Sequence, residues 1–215
     1  PKLVESLAKA KSKGYESWQE AKKKSDFKIF LPLFRELIKL RIEEAKQISD
    51  QYSPWETLAQ PFEPELNLKW LEKMFQPLKE TIPALIKGIN KSKKNHWDLS
   101  PESQQYLCSE LLDDFGRDKD LVIVGKSPHP FSITLGPDDY RITTRIVEGE
   151  PLSSFLATAH EWGHSIYEQG LPSQSHQWFA WPLGQATSMG IHESQSLFWE
   201  NRIVKSKSFS KRFFK

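Results

Sequence analysis

The chain has 215 residues, enough to bury a substantial core as one large domain or two small ones. Its 30 basic and 28 acidic side chains nearly balance, which leaves no electrostatic footprint for nucleic acid. A single cysteine, Cys108, excludes an internal disulfide and fits a reducing compartment; no signal-peptide core and no long apolar run is present, so the sequence reads as a cytoplasmic protein without a membrane partner.

In chain order, residues 2–22 form a charged helix. Ser25 or Asp26 caps a second helix reaching about Ile48, with Phe27, Phe30, Leu33, Phe34, Leu37, Leu40 and Ile42 as its apolar set. Ser53 to Pro64 is a proline-rich connector expected to pack as an ordered loop. A third helix spans Leu68 to about Ile89, with a kink expected near Pro77 or Pro83. Asn90 to Ser100 is a polar linker, and the lysines there and in residues 9–24 are read as solvated faces and loop ends. A fourth helix starts after Ser100-Pro101 and ends near Gly116; Cys108 lies in its apolar stretch and reads as an inert buried thiol.

The period then changes. Leu121 to Val124, Phe131 to Leu135 and Tyr140 to Val147 read as short strands, the last two joined by a turn at Gly136-Pro137-Asp138-Asp139. Apolar and small residues recur at helical spacing from Leu152 to Tyr167, with Pro151 at the start and Gly170 and Pro172 as the stop. A last helix is expected from about Gln185 to Lys205. The fold class is therefore mainly α, with a small antiparallel sheet beside the helix of residues 151–169. Residues 1–120 form a helical region and 121–215 a site-bearing region, together one continuous part of a larger fold.

The chemistry concentrates in that helix, which carries His160-Glu161-Trp162-Gly163-His164. Residues four apart on a helix share a face, so both imidazoles can reach one metal ion, and Glu161 stands beside the same point. This is the H-E-x-x-H pattern of zinc peptidases. A catalytic zinc takes three protein ligands and keeps a place for water. Glu193 is favoured as the third and His192 is the alternative, because adjacent helical residues point about 100° apart.

Several ordered motifs give a more specific reading. His129-Pro130-Phe131, Asp139-Tyr140-Arg141-Ile142-Thr143, the run HEWGHSIYEQG from His160 to Gly170 and the run SMGIHESQSLFWEN from Ser188 to Asn201 resemble those of the carboxypeptidase Taq family of metallocarboxypeptidases. Ser25-Asp26-Phe27 through Glu43-Glu44-Ala45 is similar to a helix of that family. The resemblance covers most of the chain from about residue 20. It implies a helical, zincin-like fold, one divalent ion (zinc, with cobalt an alternative), His160, His164 and Glu193 as ligands, Glu161 as general base, peptide substrates and a homodimer. Two later family motifs, I-R-x-x-A-D and G-x-x-Q-D-x-H-W, do not occur, and Leu197 stands where the family usually has arginine. The chain accordingly reads as a fragment, a truncated member or a divergent short one. The alternative functions are a catalytically incomplete metal-binding fragment and a zinc oligopeptidase.

Around the ligands, Glu168 and Asp139 are candidate acceptors for the outer N–H groups of the imidazoles. His129, Arg141 and Thr143 are candidates for support of the metal site or contact with substrate. The competing reading of Asp139, Arg141 and Thr143 is a hairpin held by a local ion pair and a strand-forming threonine. His96 and His176 read as solvent-facing. Trp178, Phe179 and Trp181 read as covering the core, or as lining a pocket for a substrate side chain.

Overall fold

A computed structural model of the chain describes residues 1–89 and 99–214. Most of the expected linker, with Lys91, Lys93, Lys94 and His96, lies outside the described residues. The chain divides into two compact units, Pro1–Asn90 and Lys91–Lys215. The helix holding Leu111 and Leu112 buries both in the second unit's core.

The first unit is helical. Helix α1 (Lys2–Lys24) buries Leu7, Ala10, Gly14 and Ala21, a stripe along one face. It packs on α2 (Leu31–Ile48), and Gly14 makes room for that approach: a Cβ there would lie 3.0 Å from Leu37 Cδ1. Asp26 caps a 3₁₀ turn, Phe27–Ile29, by accepting from the Lys28 N–H. The connector expected as a loop is in part a helix, α3 (Pro54–Ala59). Pro54 presets the first helical φ, and Ser53 and Glu56 close a capping box. Helix α4 (Leu68–Gly88) is capped by Asn67 and continues through Pro77 and Pro83.

The second unit carries the motifs. Helix α5 (Pro101–Asp114) is followed by strands β1 (Val122–Lys126), β2 (Ser132–Gly136) and β3 (Asp139–Thr144). Their order is β1-β3-β2, with β2 antiparallel and β1 parallel to β3. The sheet is thus mixed, not antiparallel as expected. The β2–β3 turn makes a hairpin, as read, but residues 127–131 cross the end of β3 and set β1 on its far edge. Thr143 holds that crossing: its Oγ1 accepts from the Phe131 N–H (3.0 Å) and shares a hydrogen bond with Ser127 Oγ (2.6 Å).

Helix α6 (Pro151–Gln169) carries the two motif histidines and runs where the sequence placed it. One face of β3 packs on it: Ile142 joins a core with Trp162, Leu112 and Val122, and Thr144 Oγ1 bonds Thr158 Oγ1 at 3.0 Å. Period-2 alternation then turns Asp139, Arg141 and Thr143 to the opposite face of the strand. The last long helix is shorter than expected. Ser188 caps α7 (Met189–Leu197) by accepting from the Ile191 N–H. Winding then loosens to a π-helix over Phe198–Val204, before α8 (Lys207–Phe213). Phe155, Leu111, Ala159, Val204 and Phe209 form the second core, which ties α5, α6, the π-helix and α8 together.

Candidate metal centre

Helix α6 presents His160 and His164 one turn apart, with ring centroids 5.0 Å apart. Helix α7 crosses α6 at Gly163, the residue just before His164. A Cβ on Gly163 would stand 2.5 Å from Ser196 Cα and 2.7 Å from the Gln195 carbonyl oxygen. Only a hydrogen at that position lets the two backbones meet, and this contact delivers Glu193. One carboxylate oxygen, Glu193 Oε2, lies 3.6 Å from His160 Nε2 and 3.3 Å from His164 Nε2. Ser196, fully buried, steadies it by donating its hydroxyl to Glu193 Oε2 (3.1 Å) and to the Glu193 carbonyl (2.7 Å).

Ligand atoms of His160, His164 and Glu193 all fall within 4.8 Å of one another. Two imidazole nitrogens and a carboxylate oxygen are the donor set that a borderline-soft divalent ion such as zinc takes. The electrostatics suit such an ion. Burial, followed by the charges of His192 and His160, pushes His164 down to about 4, against the pull of Glu193, so the ring is neutral at neutral pH. A metal-binding imidazole must be neutral.

Glu161 is buried and makes no side-chain hydrogen bond among the described residues. Burial pushes its carboxyl up to about 7, helped by the Glu193 charge and opposed by His160. A carboxyl poised there exchanges a proton near neutral pH, as a general base does.

The surrounding candidates distribute unevenly. Glu168 is close, but it reaches His164 through an intervening residue. Its Oε1 lies 2.7 Å from His192 Nε2, and His192 Nδ1 lies 2.6 Å from His164 Nδ1. His192, weighed from the sequence as an alternative third ligand, stands on the outer side of His164. Asp139 makes two hydrogen bonds with Arg141, at 2.8 and 3.0 Å, and none with an imidazole among the described residues. Their face of β3 is turned away from α6. Thr143 serves the strand crossing. His129 is exposed, and its carbonyl accepts from Ser127 Oγ. His176 is exposed too, accepting from the Trp178 N–H. Trp178 and Trp181 remain exposed, whereas Phe179 lines a cavity of about 310 Å³ with Tyr140, Glu168 and the β2–β3 turn.

Sequence reasoning missed Glu200. Its Oε2 lies 3.1 Å from His160 Nδ1. Burial alone would raise this carboxyl, but Lys205, whose ammonium is 2.8 Å away, and His160 together hold it below the usual carboxylate range. A signal was present: Glu200 follows Glu193 by seven residues, two helical turns along one face.

Comparisons with known proteins show the family. A family model described as carboxypeptidase Taq (M32) metallopeptidase matches residues 1–215. Thermostable carboxypeptidase 1 of Thermus thermophilus is 35% identical over 228 residues, covering 99% of this chain and 44% of that protein. Carboxypeptidase 1 of Bacillus subtilis is 37% identical over 211 residues, covering 95% and 41%. Among solved structures, the Pyrococcus furiosus carboxypeptidase superposes with a TM-score of 0.79 at 30% identity, covering 100% of this chain and 44% of that one. The M32 carboxypeptidase of Deinococcus radiodurans gives 0.80 at 26% identity, covering 99% and 43%. The chain spans less than half the length of these relatives. With its motifs, its fold and its whole length matched, the chain belongs to the carboxypeptidase Taq (M32) family of metallopeptidases.

Proposed function

We propose that the chain carries the metal centre of a zinc-dependent metallocarboxypeptidase that releases C-terminal residues from peptides in the cytoplasm. One observation carries this reading: His160, His164 and Glu193 converge within 4.8 Å beside a buried Glu161 whose carboxyl makes no hydrogen bond among the described residues. His160 and His164 would hold the ion through Nε2, and Glu193 through its carboxylate. A divalent ion bound there supplies a Lewis acid that acidifies water and polarises a carbonyl. Two neutral ligands and one anionic ligand leave that charge only partly neutralised.

The chain's own residues do the rest. Glu161 accepts the proton of the attacking water and passes it to the leaving amine. Glu168, His192 and Glu200 surround the two rings from outside. The lone Cys108 is buried and takes no part.

The test has two arms. Zinc or cobalt should bind one equivalent to the wild-type chain, and the combined H160A, H164A and E193A substitutions should abolish that binding. Glu161→Gln should keep the metal and lower turnover by about two to four orders of magnitude. Turnover is measured as release of C-terminal amino acids, in the longest version of the protein that hydrolyses peptides. Near-normal turnover with the metal retained rules out Glu161 as the base. Unaltered metal binding in the triple variant rules out the ligand set.

A further inference from the structure

We infer that His192 is a positioning residue which, itself held by Glu168, fixes the tautomer of His164 through one direct hydrogen bond, while the Glu200 carboxylate does the same for His160. The inference builds on the metal-centre reading, but its primary observable is the proton position on each ring, which does not require the metal.

Hydrogen-bond polarity fixes where the protons sit. An ionised carboxylate can only accept. Glu168 Oε1, 2.7 Å from His192 Nε2, therefore makes that nitrogen the donor. A neutral imidazole with Nε2 protonated has a bare Nδ1, which must accept. The nitrogen it faces, 2.6 Å away, is His164 Nδ1, so His164 carries its proton there. The remaining nitrogen of His164, Nε2, is left as a lone pair, and it is the one 3.3 Å from Glu193 Oε2. On the other ring the same outcome takes one step. Glu200 Oε2 accepts from His160 Nδ1 at 3.1 Å, and Nε2 is left bare, 3.6 Å from the same Glu193 oxygen.

Both lone pairs thus point at one place. The orientation is also held sterically. Tyr167 stands edge-on to His192 with ring centroids 5.1 Å apart, and His192 lies against His164 at 4.7 Å. Lys205 in turn holds the other Glu200 oxygen, Oε1, at 2.8 Å, so the carboxylate facing His160 is itself anchored. The two supports come from different elements. Glu168 lies at the end of α6, His192 in α7 and Glu200 in the π-helical stretch, so the arrangement requires the α6–α7 crossing at Gly163.

The test uses the chain with ¹⁵N-labelled histidine. In the metal-free wild type, His160 and His164 should each show a protonated Nδ1 and a pyridine-type Nε2. His192→Phe removes the acceptor and should leave His164 as a tautomer mixture while His160 stays unchanged, which serves as the internal control for folding. His192→Gln offers an amide oxygen at a similar reach and should restore the His164 preference. Glu200→Leu should give the reverse pattern, disturbing His160 alone. Zinc affinity, read by competition with a chelator, should fall about 10- to 100-fold in His192→Phe and in Glu200→Leu. A His164 tautomer that is unchanged in His192→Phe overturns the inference, as does unchanged zinc affinity in a His192→Phe chain whose wild type binds zinc. A wild type that shows the stated tautomers and binds no zinc supports the tautomer control and refutes the metal-centre reading instead.

Discussion

Gly163 meets Ser196 backbone to backbone: a Cβ on the glycine would stand 2.5 Å from the serine Cα. The same serine holds Glu193 through its hydroxyl. The spacing between the helix with two histidines and the helix with the carboxylate is therefore set by one missing methyl group. Gly163→Ala should force the helices apart, because the obstructing atoms are main chain and cannot turn aside. The expected loss of stability is about 1–3 kcal/mol, the usual penalty for overpacking. Metal affinity should fall as well, since Glu193 moves with α7. Thermal melts and zinc titration of the variant check both effects, and an unchanged affinity would mean that the crossing does not place Glu193.

The segment entering α6 is tied to α5 by a buried polar network. Gln104 Nε2 donates to the carbonyls of Leu99 (3.2 Å) and Val147 (3.1 Å), while its Oε1 accepts from Ser154 Oγ (3.0 Å). Ser154 Oγ in turn accepts from the Val147 N–H at 3.3 Å. Gln104→Leu leaves these partners without their hydrogen bonds in a largely buried site and should cost about 1–3 kcal/mol. Ser154→Ala should cost a similar amount. The double variant should lose less than the two losses added together, because each single change disables the same network. Strict additivity in urea unfolding would show that the two residues act independently.

The sequence was most legible where one physical rule decides the outcome. The α6 boundaries follow from Pro151, helical spacing and the stop at Gly170, and the structure ends the helix at Gln169. The grouping of His160, His164 and Glu193 was readable because i, i+4 spacing and a downstream carboxylate constrain it tightly. The parallel placement of β1 was not, since strand patterning reports alternation and not which edge a strand joins. Nor was the partner of Asp139 open to assignment from spacing alone: both Arg141 and an imidazole were chemically suitable, and strand parity decided for Arg141. The capping box in Ser53 to Glu56 was visible in the residues themselves, but the prolines around it drew the reading toward a loop.

Cys108 should be silent to thiol reagents in the native chain. Its side chain is buried on α5, and burial pushes the thiol above its ordinary value, against hydrogen bonds from Thr158 and Thr144 that lower it. Only the thiolate is nucleophilic, so both access and ionisation work against reaction. Labelling by a chromogenic disulfide at pH 8 should proceed at the rate of global unfolding and accelerate in urea along with the loss of helical signal. Immediate labelling of the folded chain would contradict the burial.

Two groups at the centre give the metal-free chain opposing pH dependences. Glu161 titrates at about 7 in the folded state against an ordinary 4.5. Above 4.5 the unfolded chain has lost a proton that the folded chain keeps, so this contribution to stability is full below 4.5 and is lost as the pH rises through 7. His164 titrates at about 4 against an ordinary 6.5. Here the unfolded chain binds a proton that the folded chain refuses, so stability is full above 6.5 and is lost as the pH falls through 4. Between 4.5 and 6.5 the two slopes nearly cancel in the wild type. Glu161→Gln removes one of them. In chelator, the variant should therefore gain stability steadily from pH 4 to 6.5. Its melting temperature should differ little from wild type at pH 4.5 and exceed it by several degrees above pH 7, given that 1 kcal/mol moves the midpoint by about 2–4 °C at this size. Bound zinc favours the ionised Glu161 carboxylate and should shrink the gap, because the positive ion offsets the cost of burying that charge. A melting difference that stays constant from pH 4.5 to 7.5 in chelator would show that Glu161 does not titrate in this range.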